Sequence, residues 1–247
     1  MRTMRHAAGD PESQKDQDQA VALITGAGGG IGRATAEAFA AEGYTVVVAE
    51  ILTAVGRGAA EALIRTGARA VFVRTDVADP ASVKRLIATV LRRFGRIDCL
   101  VNNAGVLSVG PLAHLSARDL DRMLAVNLRG PLLLARAVLP SMLPRRSGSI
   151  INVASQLGKY GLGGYVTYCA TKFGVVGFTE ALAAELSGTG VRVWAVCPGL
   201  VDTPMARLSG VTSGAGLIRP ESVARVIVDL ATGRRREASG TAVDVTR

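Results

Sequence analysis

The chain has 247 residues, a formal net charge of +9, and 49% hydrophobic but only 4% aromatic residues. That length and apolar content bury one large core and suit a single α/β domain packed with Ala, Val and Leu. The basic balance does not make a nucleic-acid binder. Lysine is confined to Lys15, Lys84, Lys159 and Lys172, the arginines scatter over predicted helix faces and ends, and no interleaved aromatics offer base stacking.

Residues 1–18 are polar, carry no hydrophobic segment of the secretory kind, and read as a disordered extension to a domain spanning 19–247. Ala20 to Thr25 forms an apolar run of buried-strand type. The glycine run Gly26-Ala27-Gly28-Gly29-Gly30-Ile31-Gly32 follows, then a helical pattern through Ala34, Ala38 and Ala41. Strand, glycine turn and helix together make a phosphate cradle, because glycines admit close backbone approach and the helix amino end presents free N–H groups. A second strand, Tyr44 to Ala49, ends at Glu50, which stands 20 residues beyond Gly30, where an acidic side chain takes ribose hydroxyls. A carboxylate there repels a 2′-phosphate, so NAD is expected and NADP disfavoured, with Arg33 the one nearby charge able to offset it.

Further on, Ala70 to Arg74 reads as strand three, Pro80 to Phe94 as a helix, and Cys99 to Asn102 as strand four. A long helical region runs from Ser116, a plausible N-cap with Asp119 three residues on, to Leu143. Strand five covers Ile150 to Ala154, a helix Tyr165 to Leu186, and strand six Val191 to Val196. Pro220 to Ala231 is the last helix and Thr241 to Val245 strand seven. Alternation of this kind predicts a Rossmann-type doubly wound parallel sheet of about seven strands with helices on both faces. No apolar run reaches membrane-span length by eye, and Cys99, Cys169 and Cys197 have no metal-ligand spacing, which suits a reducing cytoplasm.

The chemistry concentrates in Tyr168-Cys169-Ala170-Thr171-Lys172. Four-residue spacing on a helix puts the phenol and the ammonium on one face. A free tyrosine ionises near pH ~10, and a fixed cation beside it pulls that value down. A shift of roughly 2–3 units, about 3–4 kcal/mol, is needed for work as a base at neutral pH.

In this order and spacing the residues resemble the short-chain dehydrogenase/reductase family, from about residue 20 to residue 205. The elements that carry the resemblance are Thr25-Gly26-x-x-x-Gly30-Ile31-Gly32, Asp76-Val77, Asn102-Asn103-Ala104-Gly105, Asn127, Ser155 with Tyr168 13 residues later, Pro198-Gly199 and Thr203. The resemblance implies that Tyr168 is the general acid/base and that Lys172 lowers its pKa and binds the nicotinamide ribose. Ser155 then orients the substrate oxygen, and Asn127 interrupts its helix and holds a water that links Lys172 to solvent. It implies cofactor contacts from Gly26, Gly28, Gly30, Ile31, Gly32, Glu50, Asp76, Val77, Asn103, Ala104, Gly105, Pro198, Gly199, Val201 and Thr203. Asp76 also reads as a cap for the helix after Pro80.

Ser155, Gln156, Leu157, Leu162, Tyr165 and Met205 are expected to meet the substrate, with Val106 and Leu107 on the same wall. Leu208 and Val211 are expected in a short, mobile Gly/Ser-rich roof between Thr203 and Pro220. Lys159 reads as a solvated charge. The substrate is expected to be a medium-sized secondary alcohol or ketone. Relatives commonly end strand seven in an Asp-Gly-Gly tail that this chain lacks, which weighs against the tetramer more than against the homodimer formed by helices 116–143 and 165–187. The alternative is a non-catalytic dinucleotide-binding regulator or scaffold. Loss of Tyr168 or Lys172 would favour it, and both are present.

Overall fold

A computed structural model describes residues 19–210 and 216–246. Seven parallel strands form one sheet in the order β3-β2-β1-β4-β5-β6-β7. They are β1 Val21–Thr25, β2 Thr45–Glu50, β3 Ala70–Arg74, β4 Cys99–Asn102, β5 Gly148–Val153, β6 Val191–Pro198 and β7 Ala242–Val245. The central strands are apolar on both faces: every residue of β1 and β4 is buried, as a parallel sheet covered by helices requires. The order reverses between β1 and β4, and that switch point opens a crevice at the carboxyl ends of the strands.

Helices cover both faces. They are α1 Gly30–Ala41, α2 Thr53–Arg65, α3 Pro80–Phe94, α4 Ala117–Leu124, α5 Gly130–Met142, α6 Val166–Glu185, the single turn α7 Pro204–Arg207, and α8 Pro220–Thr232. One core lies under α1, α2 and α8 and contains Phe39, Trp194 and Ile227. The other lies under α3, α5 and α6 and contains Leu86, Leu100 and Leu134.

Helix α3 is capped by Asp79, whose carboxylate accepts from the N–H groups of Ala81 and Ser82, with Pro80 at its first turn and Gly95 in the left-handed conformation at its end. The alternative reading of Asp76 as this cap is therefore not met, because the cap is made three residues later. Asp76 instead accepts from Ala78 N at 2.9 Å and closes its own turn.

Ser116 caps α4 as expected, accepting from Asp119 N at 3.1 Å. Between α4 and α5 the chain makes a π turn, Ala125–Arg129, so the helix widens at Asn127 and continues. Counted as one piece, Ala117–Met142 is 26 residues and apolar enough to cross a membrane by length and composition, contrary to the reading from sequence. One face of it packs within the fold, where Leu134, Ala135, Val138 and Met142 sit in the core, while Leu124 and Leu132 stay exposed.

Candidate active site

A cavity of about 910 Å³ occupies the crevice at the strand ends. Its floor begins with the glycine turn between β1 and α1. Gly26 has φ +62°, and a β-carbon on it would stand 2.9 Å from Ala104 Cα. Gly30 has φ +52° and lies against Thr203. Thr25 and Asn103 tie the turn to the end of β4. Thr25 Oγ1 accepts from the N–H groups of Asn103 at 3.0 Å and Ala104 at 3.1 Å. Asn103 Nδ2 donates to the carbonyls of Thr25 at 2.9 Å and Gly26 at 3.1 Å.

Gly26, Gly29, Gly30 and Ile31 line the cavity, whereas Gly28 and Gly32 do not. Gly32 is a packing glycine: its β-carbon would collide with the Gly26 carbonyl oxygen and the Asn103 amide. Helix α1 starts at Gly29 with no side chain on its first N–H groups, so its positive end faces the cavity open.

Glu50, at the end of β2, accepts from the backbone N–H groups of Gly28 at 3.3 Å, Ile51 at 2.8 Å and Leu52 at 3.2 Å. Its carboxylate is thus held at the cavity wall beside the turn. Arg33 is engaged elsewhere, pairing with Glu37 at 2.9 Å. Asp76, Val77, Asn103, Ala104 and Gly105 extend this wall. The open helix end, the glycine cradle and a carboxylate near Gly28 fit a dinucleotide.

Across the cavity α6 presents Tyr168 and Lys172. Lys172 is 5% exposed and donates from Nζ to the Val153 carbonyl at 2.7 Å. Its ammonium lies 5.5 Å from the centre of the Tyr168 ring. Ser155, just past the end of β5, lines the same cavity as Tyr168, and its Oγ accepts from Leu157 N at 3.1 Å. Burial pushes the Tyr168 phenol up to about 12, with the nearby Ser155 side chain acting against it. The lowering expected from Lys172 does not appear in the chain without its dinucleotide, where desolvation dominates and the hydroxyl holds its proton at neutral pH. Burial likewise lowers Lys172, to about 8.

Asn127 is buried and pins the backbone of one residue of the cavity wall on both sides. Its Oδ1 accepts from Val106 N and its Nδ2 donates to Val106 O, both at 2.8 Å. The interruption expected at Asn127 takes the form of this π turn, which absorbs the extra residue and lets the helix continue.

Pro198, Gly199, Val201 and Thr203 close the near side, and Thr203 caps α7 through Ala206 N at 3.3 Å. Gln156, Leu157, Leu162, Tyr165 and Met205 line the outer part with Val106 and Leu107. Leu208 does not: at 65% exposed it points to solvent while Met205 and Ser209 face inward. Val211 lies outside the described residues. Arg122, Leu200 and Ser209 also line the cavity, and no local sequence signal marks them.

The family model described as short chain dehydrogenase matches residues 20–212. The chain belongs to the short-chain dehydrogenase family. As a member of that family it resembles the 3-oxoacyl-[acyl-carrier-protein] reductase of Thermotoga maritima, 37% identical over 91% of this chain and 95% of that protein. D-threitol dehydrogenase of Mycolicibacterium smegmatis is 45% identical over 76% of this chain and 72% of its own. Among solved structures, an actinorhodin polyketide ketoreductase variant with NADPH superposes with a TM-score of 0.88 at 34% identity, covering 93% of this chain and 97% of that one. This short-chain dehydrogenase thus has both ketone reductases and alcohol dehydrogenases among its relatives, and it is an oxidoreductase of that kind.

Proposed function

We propose that the protein interconverts a secondary alcohol and a ketone with a nicotinamide dinucleotide, using Tyr168 as the proton donor and acceptor. The observation that carries this reading is the convergence of Ser155, Tyr168 and Lys172 on one cavity wall, with the Lys172 ammonium 5.5 Å from the centre of the phenol ring. Bound across the glycine turn and Pro198-Gly199, the dinucleotide supplies or accepts the hydride.

The chain's own residues do the rest. Ser155 Oγ has one lone pair occupied by Leu157 N–H, which fixes the atom and leaves its hydrogen to turn towards a substrate oxygen. Tyr168, neutral at physiological pH, gives its proton to that oxygen as a carbonyl is reduced. Lys172 stabilises the phenolate left behind and holds the ribose next to the nicotinamide. Leu157, Leu162 and Met205 keep water from the reacting carbon.

NAD is the proposed cofactor. Glu50 already places a negative charge at the ribose end, and the neighbouring cavity residues Ile51, Leu52 and Asp76 bring no positive one. Like charges about 4 Å apart cost about 1–4 kcal/mol between bulk water and a protein surface. The NADPH in the ketoreductase relative makes this the sharpest point to test. The protein is proposed to work as a dimer or larger homo-oligomer, through the faces of α4 to α6 that expose Leu124, Leu132, Val166 and Phe173.

The test is absorbance of the reduced nicotinamide, followed with NAD and NADP against panels of secondary alcohols and ketones. Turnover that is lost in Tyr168→Phe supports the reading. A wild-type chain inactive towards both panels, or a Tyr168→Phe variant of equal activity, overturns it.

A further inference from the structure

Ser155 sits at the start of a single 3₁₀ turn, Gln156–Gly158, that closes at Lys159. The turn is clasped on both sides. Towards α6, Gly158 packs so closely that a β-carbon on it would stand 2.7 Å from the Lys172 carbonyl oxygen. Towards the sheet edge, Lys159 is not the solvated charge its sequence suggests. Its Nζ donates to the Ala242 carbonyl at 2.8 Å and pairs with Asp244 Oδ1 at 2.8 Å. Both partners are on β7, more than 80 residues further along the chain.

The neighbouring strand repeats the pattern. Asp244 is in register with Cys197, and the carbonyl of the residue before it, Val196, receives the Ala154 N–H at 2.8 Å, one residue ahead of Ser155. Gly199, in the cavity wall, donates its N–H to the Val245 carbonyl at 3.2 Å. The last strand therefore holds both walls that flank Tyr168.

We propose that Lys159 and Asp244 are positioning residues for Ser155: the ion pair between the 3₁₀ turn and β7 sets the height of Ser155 Oγ against the Tyr168 hydroxyl. The proposal rests on the reading of Ser155 as the residue that orients the substrate oxygen. The pair is one-third to one-half exposed, so it adds little to stability. Its effect is geometric. Displacing a reacting group by about 1 Å costs up to about 10²-fold in rate, far more than a half-exposed ion pair contributes to folding.

Lys159→Met, Lys159→Arg and Asp244→Asn test this in the full chain. The expected result for Lys159→Met and Asp244→Asn is a kcat lower by about tenfold, with the NADH dissociation constant within about twofold of wild type and the thermal midpoint nearly unchanged. Lys159→Arg, which keeps the charge and the donor, recovers most of the loss. Hydrogen–deuterium exchange supplies a readout independent of turnover: amides of residues 156–160 exchange faster in Lys159→Met, while those in the middle of α6 do not.

Wild-type exchange and wild-type kcat in Lys159→Met overturn the proposal. So does a fall in kcat matched by equal losses in NADH affinity and thermal midpoint, which marks a general structural role. A wild-type chain that turns over no alcohol or ketone overturns the oxidoreductase reading and the catalytic half of this proposal with it. The exchange data then still decide whether the clasp exists.

Discussion

The Lys172 ammonium stands 5.5 Å from the centre of the Tyr168 ring, one helical turn further along α6, and it spends one hydrogen on the Val153 carbonyl. Phenol and cation are thus fixed by the same helix and by the end of β5. Tyr168→Phe keeps the ring and its packing but removes the proton. It is expected to lower kcat by roughly 10²–10⁴ and to leave NADH affinity close to wild type. Steady-state kinetics beside fluorescence titration of NADH measure the two effects separately.

Lys172 also predicts a pH effect on stability. Its folded value is lowered to about 8 from an ordinary 10.5. Between these values the unfolded chain holds more protons than the folded one, so this group makes stability rise with pH across that window, by roughly 3 kcal/mol in all. Below about 8 the full cost of the buried charge is present. Lys172→Met lacks this term. Its thermal midpoint relative to wild type is expected to drop as pH moves from about 7.5 to about 10. A difference independent of pH counts against a depressed Lys172.

Glu50 has two tasks, and one substitution separates them. Glu50→Gln keeps an oxygen for the N–H groups of Ile51 and Leu52 but removes the charge. The preference for NAD over NADP, as a ratio of kcat/KM values, is expected to shrink about tenfold. A wild-type preference for NADP refutes the role given to this carboxylate.

Two glycines of the same turn are expected to behave differently. Gly32→Ala drives a methyl group into the Gly26 carbonyl and the Asn103 amide, so it costs about 1–3 kcal/mol of stability and weakens cofactor binding with it. Gly29→Ala meets no atom within 4 Å and costs only about 0.5 kcal/mol through its N-cap position, while its methyl adds bulk to the cavity lining where a pyrophosphate is proposed to bind. Thermal melts with and without NADH distinguish a glycine needed for packing from one needed for the ligand. Equal melting losses in both variants contradict this division.

What could be read in the sequence was what lies close together along it. The glycine turn, the strand before it and the Tyr168–Lys172 spacing are local patterns, and the strands Ala70–Arg74 and Cys99–Asn102 fall where apolar runs place them. Helix α2 left no such mark. Leu52 offers it no cap, its first turn has no acid, and Gly56 and Gly58 weaken it. Packing explains part of it, since Gly56 lets the helix lie against Phe72 of β3. Asp76 and Asp79 both precede the same helix start, and only the turn geometry chooses Asp79 as the cap. The partners of Lys159 are on a distant strand, and the value of Tyr168 depends on how much protein surrounds its hydroxyl, so neither is encoded in a local window.

Because all seven strands run the same way, the central strand β1 begins at the amino ends of the strands, remote from the cavity, while β7 finishes beside it. Cargo joined directly after β7 is tethered beside Val245, whose carbonyl holds Gly199. The same cargo joined ahead of Val21 hangs from the opposite rim. For purification, immobilisation or sensor design, the amino-terminal side is the one to load.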